Sequence, residues 1–227
     1  MNMISLKNVW YKYSNSREWV LKNISISFRT KEITVLLGPN GSGKTTLMKI
    51  GSLIYKPVKG SVYIDDKDYW SLDDHEKLII RRTIVYVHEK PVILRGSVVD
   101  NIIYGLRLRG FDKREAVEKA FEVLKELEIE ELAYRDASQL SAGQSQLISL
   151  ARALILKPQI MFLDEPFSHL DKNKRTKLIN ILRRVKEEDR GVVISIHEES
   201  LVEKISPDNL IEIENGEIIN IKTSQKI

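Results

Sequence analysis

The chain has 227 residues, 42% hydrophobic and 30% charged, a composition that buries a core and excludes a disordered polymer. Its 36 basic and 32 acidic residues are interspersed, so the net charge of +4 describes a mixed solvated surface and predicts no nucleic-acid partner. The absence of cysteine excludes disulfides and thiolate chemistry; no apolar run approaches the ~18 residues that cross a bilayer, and no secretory signal is expected.

Apolar segments rich in β-branched residues alternate with helical patterns, which predicts an α/β fold. An opening β region over about residues 3–37 ends in Ile33-Thr34-Val35-Leu36-Leu37. A glycine-rich loop at 38–45 follows, then a helix beginning near Lys44. Pro57 and Gly60 break that pattern, and Ser61-Val62-Tyr63-Ile64 reads as a short strand ending in an acidic turn at Asp65-Asp66. About residues 90–157 are predominantly helical. Asp112 caps one helix, striped by Ala116, Ala120, Val123, Leu124 and Leu127. A second helix is expected to follow Gly143, with Leu147, Leu150, Ala151 and Leu154 on one face, and to stop before Pro158. The α/β pattern then returns with a buried strand at 160–163, a helix over 172–188 and a buried strand at 192–196. Two short strands flank Asn215-Gly216, a dipeptide that favours a tight hairpin turn. The expected organisation is one domain: an α/β core over 1–88 and 158–227, with a helical lobe inserted over about 89–157. No C-terminal regulatory domain is expected after the last strand.

Gly38-Pro39-Asn40-Gly41-Ser42-Gly43-Lys44-Thr45 matches G-x-x-x-x-G-K-[ST] between an apolar strand and a helix. Glycines let the backbone approach phosphates and aim N–H groups at them. Lys44 reaches the β- and γ-phosphates, and the Thr45 hydroxyl suits Mg²⁺. Thr46 continues the helix start and joins the candidate binding residues. Downstream, four apolar residues lead into Asp164 and Glu165: Asp164 is a metal candidate and Glu165 a base that polarises the attacking water.

Between these motifs stands LSAGQ at 140–144, followed by LARAL at 150–154. This order resembles the ABC ATPases and their LSGGQ signature, and the resemblance spans almost the whole chain. It implies a P-loop NTPase, RecA-like core with an N-terminal antiparallel β subdomain and an inserted α-helical subdomain. It further implies ATP and Mg²⁺, with two ATPase subunits, identical or different, arranged head to tail around two nucleotides. Ser141, the Gly143 N–H and Gln144 would then meet the γ-phosphate held by the opposite subunit. SHLD at 168–171 resembles the D-loop and places Asp171 at that interface; His197 stands at the switch-histidine position. Tyr13 aligns with the aromatic that stacks on adenine, with Tyr11 as the alternative. Two departures stand out. Glu89 occupies the place of a family glutamine that contacts Mg²⁺, and Ala142 replaces the first signature glycine, which is tolerable unless φ is positive there.

The resemblance implies an ATP-hydrolysing subunit that drives a separate integral-membrane permease from the cytoplasmic side of the membrane. An extracytoplasmic substrate-binding protein would act through the permease. Residues 90–110 are most similar to importer ATPases serving oxyanions such as tungstate, molybdate or phosphate. The alternatives are a soluble ABC ATPase or a slow-hydrolysing regulator.

Overall fold

The computed structural model describes residues 1–224. In chain order the strands are β1 (Met3–Tyr11), β2 (Leu21–Arg29), β3 (Ile33–Leu37), β4 (Lys59–Ile64), β5 (Lys67–Asp68), β6 (Ile84–Val87), β7 (Ile160–Asp164), β8 (Gly191–Ile196), β9 (Asn209–Glu214) and β10 (Glu217–Thr223). The helices are α1 (Lys44–Gly51), α2 (Asp74–Arg81), α3 (Val98–Leu108), α4 (Lys113–Leu127), α5 (Ala142–Leu154), α6 (Lys172–Glu187) and α7 (Ser200–Ile205). By backbone contacts the chain forms two compact units. One takes Met1–Tyr86, Gln159–Glu165 and Ile181 onward; the other takes Val87–Pro158 and Pro166–Asn180.

The first unit holds two sheets, as expected of an α/β core with an antiparallel β region. The four-stranded one runs β2-β1-β4-β5, and its pairs are antiparallel. The six-stranded one runs β10-β9-β3-β8-β7-β6, with β3, β8 and β7 parallel to one another and β9 parallel to β3. Every residue of β3, β7 and β8 is buried, which explains their near-continuous apolar runs: a parallel sheet covered on both faces has no polar side to alternate with. Phe28 and Phe162 meet edge to face, with ring centroids 5.3 Å apart. A Cβ on Gly51, at the end of α1, would stand 2.9 Å from the Phe162 ring, so α1 lies close on this aromatic pair. Burying each such ring contributes roughly 1.5–3 kcal/mol. The last two strands join through Asn215 and Gly216, whose φ values of 48° and 81° form the expected tight turn.

The second unit is built on α3, α4 and α5. Each has a side-chain cap: Ser97 and Asp100 close a capping box on α3, Asp112 accepts from the Arg114 N–H at α4, and Ser141 with Gln144 closes a box on α5. The predicted stripe on α4 holds at Ala116, Ala120, Leu124 and Leu127, while Val123 is only half-buried. Helix α5 starts at Ala142 and not after Gly143, because the Ser141–Gln144 box opens the helix before the glycine. Asn101, fully buried, accepts from the Leu94 N–H and donates to the Leu94 and Ser97 carbonyls, pinning the segment that enters α3.

Candidate functional site

The glycine loop connects β3 to α1 in the first unit. Gly41 and Gly43 have φ of 80° and 104°, a region that favours glycine. Gly43 is also the N-cap of α1 and offers no side chain to that helix start. The first-turn N–H groups are therefore left for an anion, which the helix dipole also favours. Lys44 is buried and folded back over the loop, its Nζ donating to the Gly38 carbonyl at 2.7 Å and the Pro39 carbonyl at 3.0 Å.

The loop is braced from late in the chain. The Gly216 N–H in the β9–β10 turn donates to the Ser42 carbonyl at 3.0 Å, and the Gly216 carbonyl accepts from the Lys22 N–H at 2.8 Å. A Cβ on Gly38 would come within 2.1 Å of the Ile213 carbonyl oxygen on β9, so backbone meets backbone at the loop's first residue.

At the C-terminal end of β7, Asp164 is buried and accepts three side-chain hydrogen bonds. Thr45 Oγ1 and the Tyr86 hydroxyl both donate to Oδ2 at 2.8 Å, and Ser195 Oγ donates to Oδ1 at 2.6 Å. Ser195 is the β8 register partner of Asp164, and β6, which carries Tyr86, neighbours β7 on its other side. Each adjoining strand thus supplies one hydroxyl. Burial, followed by the nearby Asp164 carboxylate, pushes the Tyr86 phenol far above its ordinary range, so it remains a donor.

Glu165 leaves β7 with φ of 45°, a strained conformation for a side chain with a Cβ. Its N–H donates to Ser195 Oγ at 2.9 Å, and its Oε2 pairs with His197 Nδ1 at 3.0 Å. Its Oε1 is buried without a hydrogen-bond partner. Burial raises the Glu165 carboxyl above its ordinary value, and the His197 bond offsets part of that rise.

Tyr13 follows β1, and its hydroxyl shares a 3.0 Å hydrogen bond with Thr46 Oγ1 on α1. Its ring meets Tyr11 and Tyr55 edge-on, whereas Tyr11 stacks flat on Tyr55 at 5.4 Å. Tyr13 is exposed beside the glycine loop's helix, while one face of Tyr11 is occupied by Tyr55.

The remaining predicted residues belong to the second unit. Glu89 is exposed between β6 and α3. Ser141, Gly143 and Gln144 sit at the start of α5; Gln144 Oε1 accepts from the Ser141 N–H at 3.0 Å, and the Gln144 N–H donates to Ser141 Oγ at 3.3 Å. Ala142 is absent from the residues with positive φ, so its methyl fits a helical backbone. A Cβ on Gly143 would lie 2.6 Å from the His169 carbonyl oxygen, which gives that glycine a packing role beside the SHLD segment. Asp171 caps α6 by accepting from the Lys174 N–H at 2.9 Å, and that backbone bond holds its carboxyl below the ordinary range.

The structure thus brings the glycine loop, Tyr13, Asp164, Glu165 and His197 together within the first unit, and keeps Ser141, Gly143, Gln144 and Asp171 together within the second. Sequence reading missed Tyr86 and Ser195. Their signal was a hydroxyl inside an otherwise apolar strand, fully buried in β8 and half-buried in β6.

A family model described as ABC transporter matches residues 21–168. The tungstate uptake system ATP-binding protein TupC of Peptoclostridium acidaminophilum is 33% identical over 215 residues, covering 95% of this chain and 96% of that one. The Fe(3+) ions import ATP-binding protein FbpC of Vibrio cholerae is 30% identical over the full chain, which spans only 63% of that relative's length. Among solved structures, the dimeric post-hydrolysis state of the ATP-binding cassette MJ0796 bound to ADP and Pi superposes with a TM-score of 0.88 at 30% identity, covering 99% of this chain and 100% of that one. Together with the loop, the carboxylate pair and the signature helix, these matches establish that the chain belongs to the ABC transporter family, in its ATP-binding cassette.

Proposed function

We propose that this chain binds ATP on residues 38–46 and hydrolyses it, powering transport through a separate membrane permease. The observation that carries this reading is the cluster at the end of β7. There Thr45, from the phosphate loop, touches Asp164, and the next residue, Glu165, is strained, partly desolvated and paired with His197.

The donor set suits Mg²⁺. Thr45 Oγ1 and the Asp164 carboxylate are hard oxygen donors within 2.8 Å of each other, and Mg²⁺ takes one or two protein oxygens, completing its shell with water and phosphate. Thr45 and Asp164 would hold Mg²⁺, which would supply electrostatic stabilisation of the charge that develops on the phosphates. Lys44 moves from the Gly38 and Pro39 carbonyls to the phosphates, exchanging neutral acceptors for charged ones. Glu165 orients and deprotonates the attacking water, aided by a carboxyl whose raised proton affinity makes it a better base. His197 holds Oε2 of Glu165 and aims it. Tyr13, exposed beside α1, is the aromatic offered to the adenine.

Two copies pair head to tail, so that the capped start of α5 in one, with Ser141 and Gly143, presents N–H groups and a positive dipole to the γ-phosphate of the other. The dimeric structure of the MJ0796 cassette supports the pairing of two copies. No helix among the described residues is long and apolar enough to cross a membrane; the family resemblance puts the proposed site of action at the cytoplasmic face of a permease. The importer names of TupC and FbpC support import. Within import, the likeness of residues 90–110 and the TupC match favour an oxyanion.

Steady-state ATPase assays of the wild type and Glu165→Gln test the core of this reading. Hydrolysis by the wild type and its loss in the variant, by about 10²–10⁴-fold for a general base, is the expected result. A wild type that binds no ATP overturns it. Co-purification of a permease from membranes tests the transport half.

A further inference from the structure

Asp164, a buried carboxylate, is held by three side-chain hydroxyls. A carboxylate oxygen has two lone pairs, and at Oδ2 both are taken, one by Thr45 Oγ1 and one by the Tyr86 hydroxyl. At Oδ1 a third hydroxyl, Ser195 Oγ, donates. Ser195 at the same time accepts from the Glu165 N–H, so one side chain ties the proposed metal carboxylate to the backbone of the proposed base. The two supporting hydroxyls come from the strands on either side of β7. Both side chains are held in place: Ser195 is wholly buried in β8, and the Tyr86 ring packs against the apolar core of the first unit.

We propose that Tyr86 and Ser195 are positioning residues that hold the Asp164 carboxylate in the one orientation in which the Thr45 hydroxyl keeps its lone pairs turned to Mg²⁺. Ser195 also transmits the setting of Asp164 to Glu165 and stabilises the positive φ of that residue. Loss of the Tyr86 hydroxyl removes one of the two donors at Oδ2, so the carboxylate is less firmly set against the Thr45 hydroxyl. Loss of the Ser195 hydroxyl loosens both carboxylates together. The two substitutions therefore have different signatures. Tyr86→Phe alters the metal requirement; Ser195→Ala alters the metal requirement and the chemical step.

This inference rests on the ATP-binding reading above, and the experiment separates the two. The probe is mant-ATP, its fluorescence titrated first in EDTA and then against Mg²⁺, with kcat measured at saturating ATP and Mg²⁺. Tyr86→Phe is expected to bind mant-ATP in EDTA within twofold of wild type and to need at least fivefold more Mg²⁺ for half-maximal tightening. Ser195→Ala is expected to show the same Mg²⁺ shift and, in addition, at least a tenfold fall in kcat. Ser195→Thr, which keeps the hydroxyl on a β-branched side chain suited to a strand, restores both. A Mg²⁺ midpoint within twofold of wild type for Tyr86→Phe, or for Ser195→Ala should the tyrosine variant fail to fold, overturns the proposal. A wild type that does not bind mant-ATP overturns the ATP-binding reading itself.

Discussion

Glu165 Oε2 and His197 Nδ1 stand 3.0 Å apart, the glutamate on a residue with φ of 45° and the histidine just past the end of a fully buried strand. The pair opposes two effects on one carboxyl. Burial raises its proton affinity, and the histidine lowers it. Removing the histidine leaves burial unopposed. In His197→Ala the acid limb of the kcat–pH profile, read at saturating ATP, should move to higher pH, independently of the overall fall in rate. An unmoved midpoint would show that Glu165 is not the titrating base.

The same raised carboxyl has a consequence for stability. The folded protein binds the Glu165 proton more tightly than the unfolded chain does, so the ionised form destabilises the fold above its folded pKa and that penalty fades as pH falls through it. Glu165→Gln should therefore melt at a higher temperature than wild type at pH 7.5. The gap should close on acidification toward the ordinary glutamate value of about 4.3. A variant less stable at pH 7.5 would contradict the burial argument.

The signature offers a contrast between adjacent positions. Gly143→Ala puts a methyl 2.6 Å from the His169 carbonyl oxygen, a backbone atom that moves only with its segment. Overpacking of this kind costs about 1–3 kcal/mol, and each kcal/mol lowers Tm by about 2–4 °C in a domain of this size. Ala142→Gly, which restores the common family sequence, only adds backbone freedom at the first turn of α5 and should cost no more than about 1 kcal/mol. Thermal melts of the two variants decide between a packing glycine and a merely helix-starting one.

Glu89 stands where the family resemblance expects glutamine. A carboxylate close to the γ-phosphate repels it unless a metal or proton compensates. Glu89→Gln should raise steady-state turnover and shift its Mg²⁺ dependence; an unchanged rate and unchanged dependence would remove any special role for this residue.

The parts of the site written in adjacent residues were legible in the sequence. The glycine loop and Asp164-Glu165 follow buried apolar strands, and their chemistry demands those residue types in that order. Ser195 and Tyr86 were not legible, because their partner Asp164 lies 31 and 78 residues away and only the sheet order makes them neighbours. Helix α2 left no stripe to read, since none of its residues is buried. The start of α5 was misplaced because Gly143 was given the weight of a boundary, while the Ser141–Gln144 box sets it.

The hydrogen bond from Gly216 to Ser42 gives the phosphate loop a history as well as a geometry. A ribosome adds roughly 5–20 residues per second, so the loop waits on the order of ten seconds or more after its own synthesis for the turn that braces it. Until Gly216 has emerged, the Ser42 carbonyl lacks its partner and Gly38 lacks the strand it rests against. The nascent chain thus carries the phosphate-binding letters long before it carries their frame. Its readiness for nucleotide is timed by the synthesis of Gly216, and a ribosome stalled before that residue holds a loop without the support that shapes it.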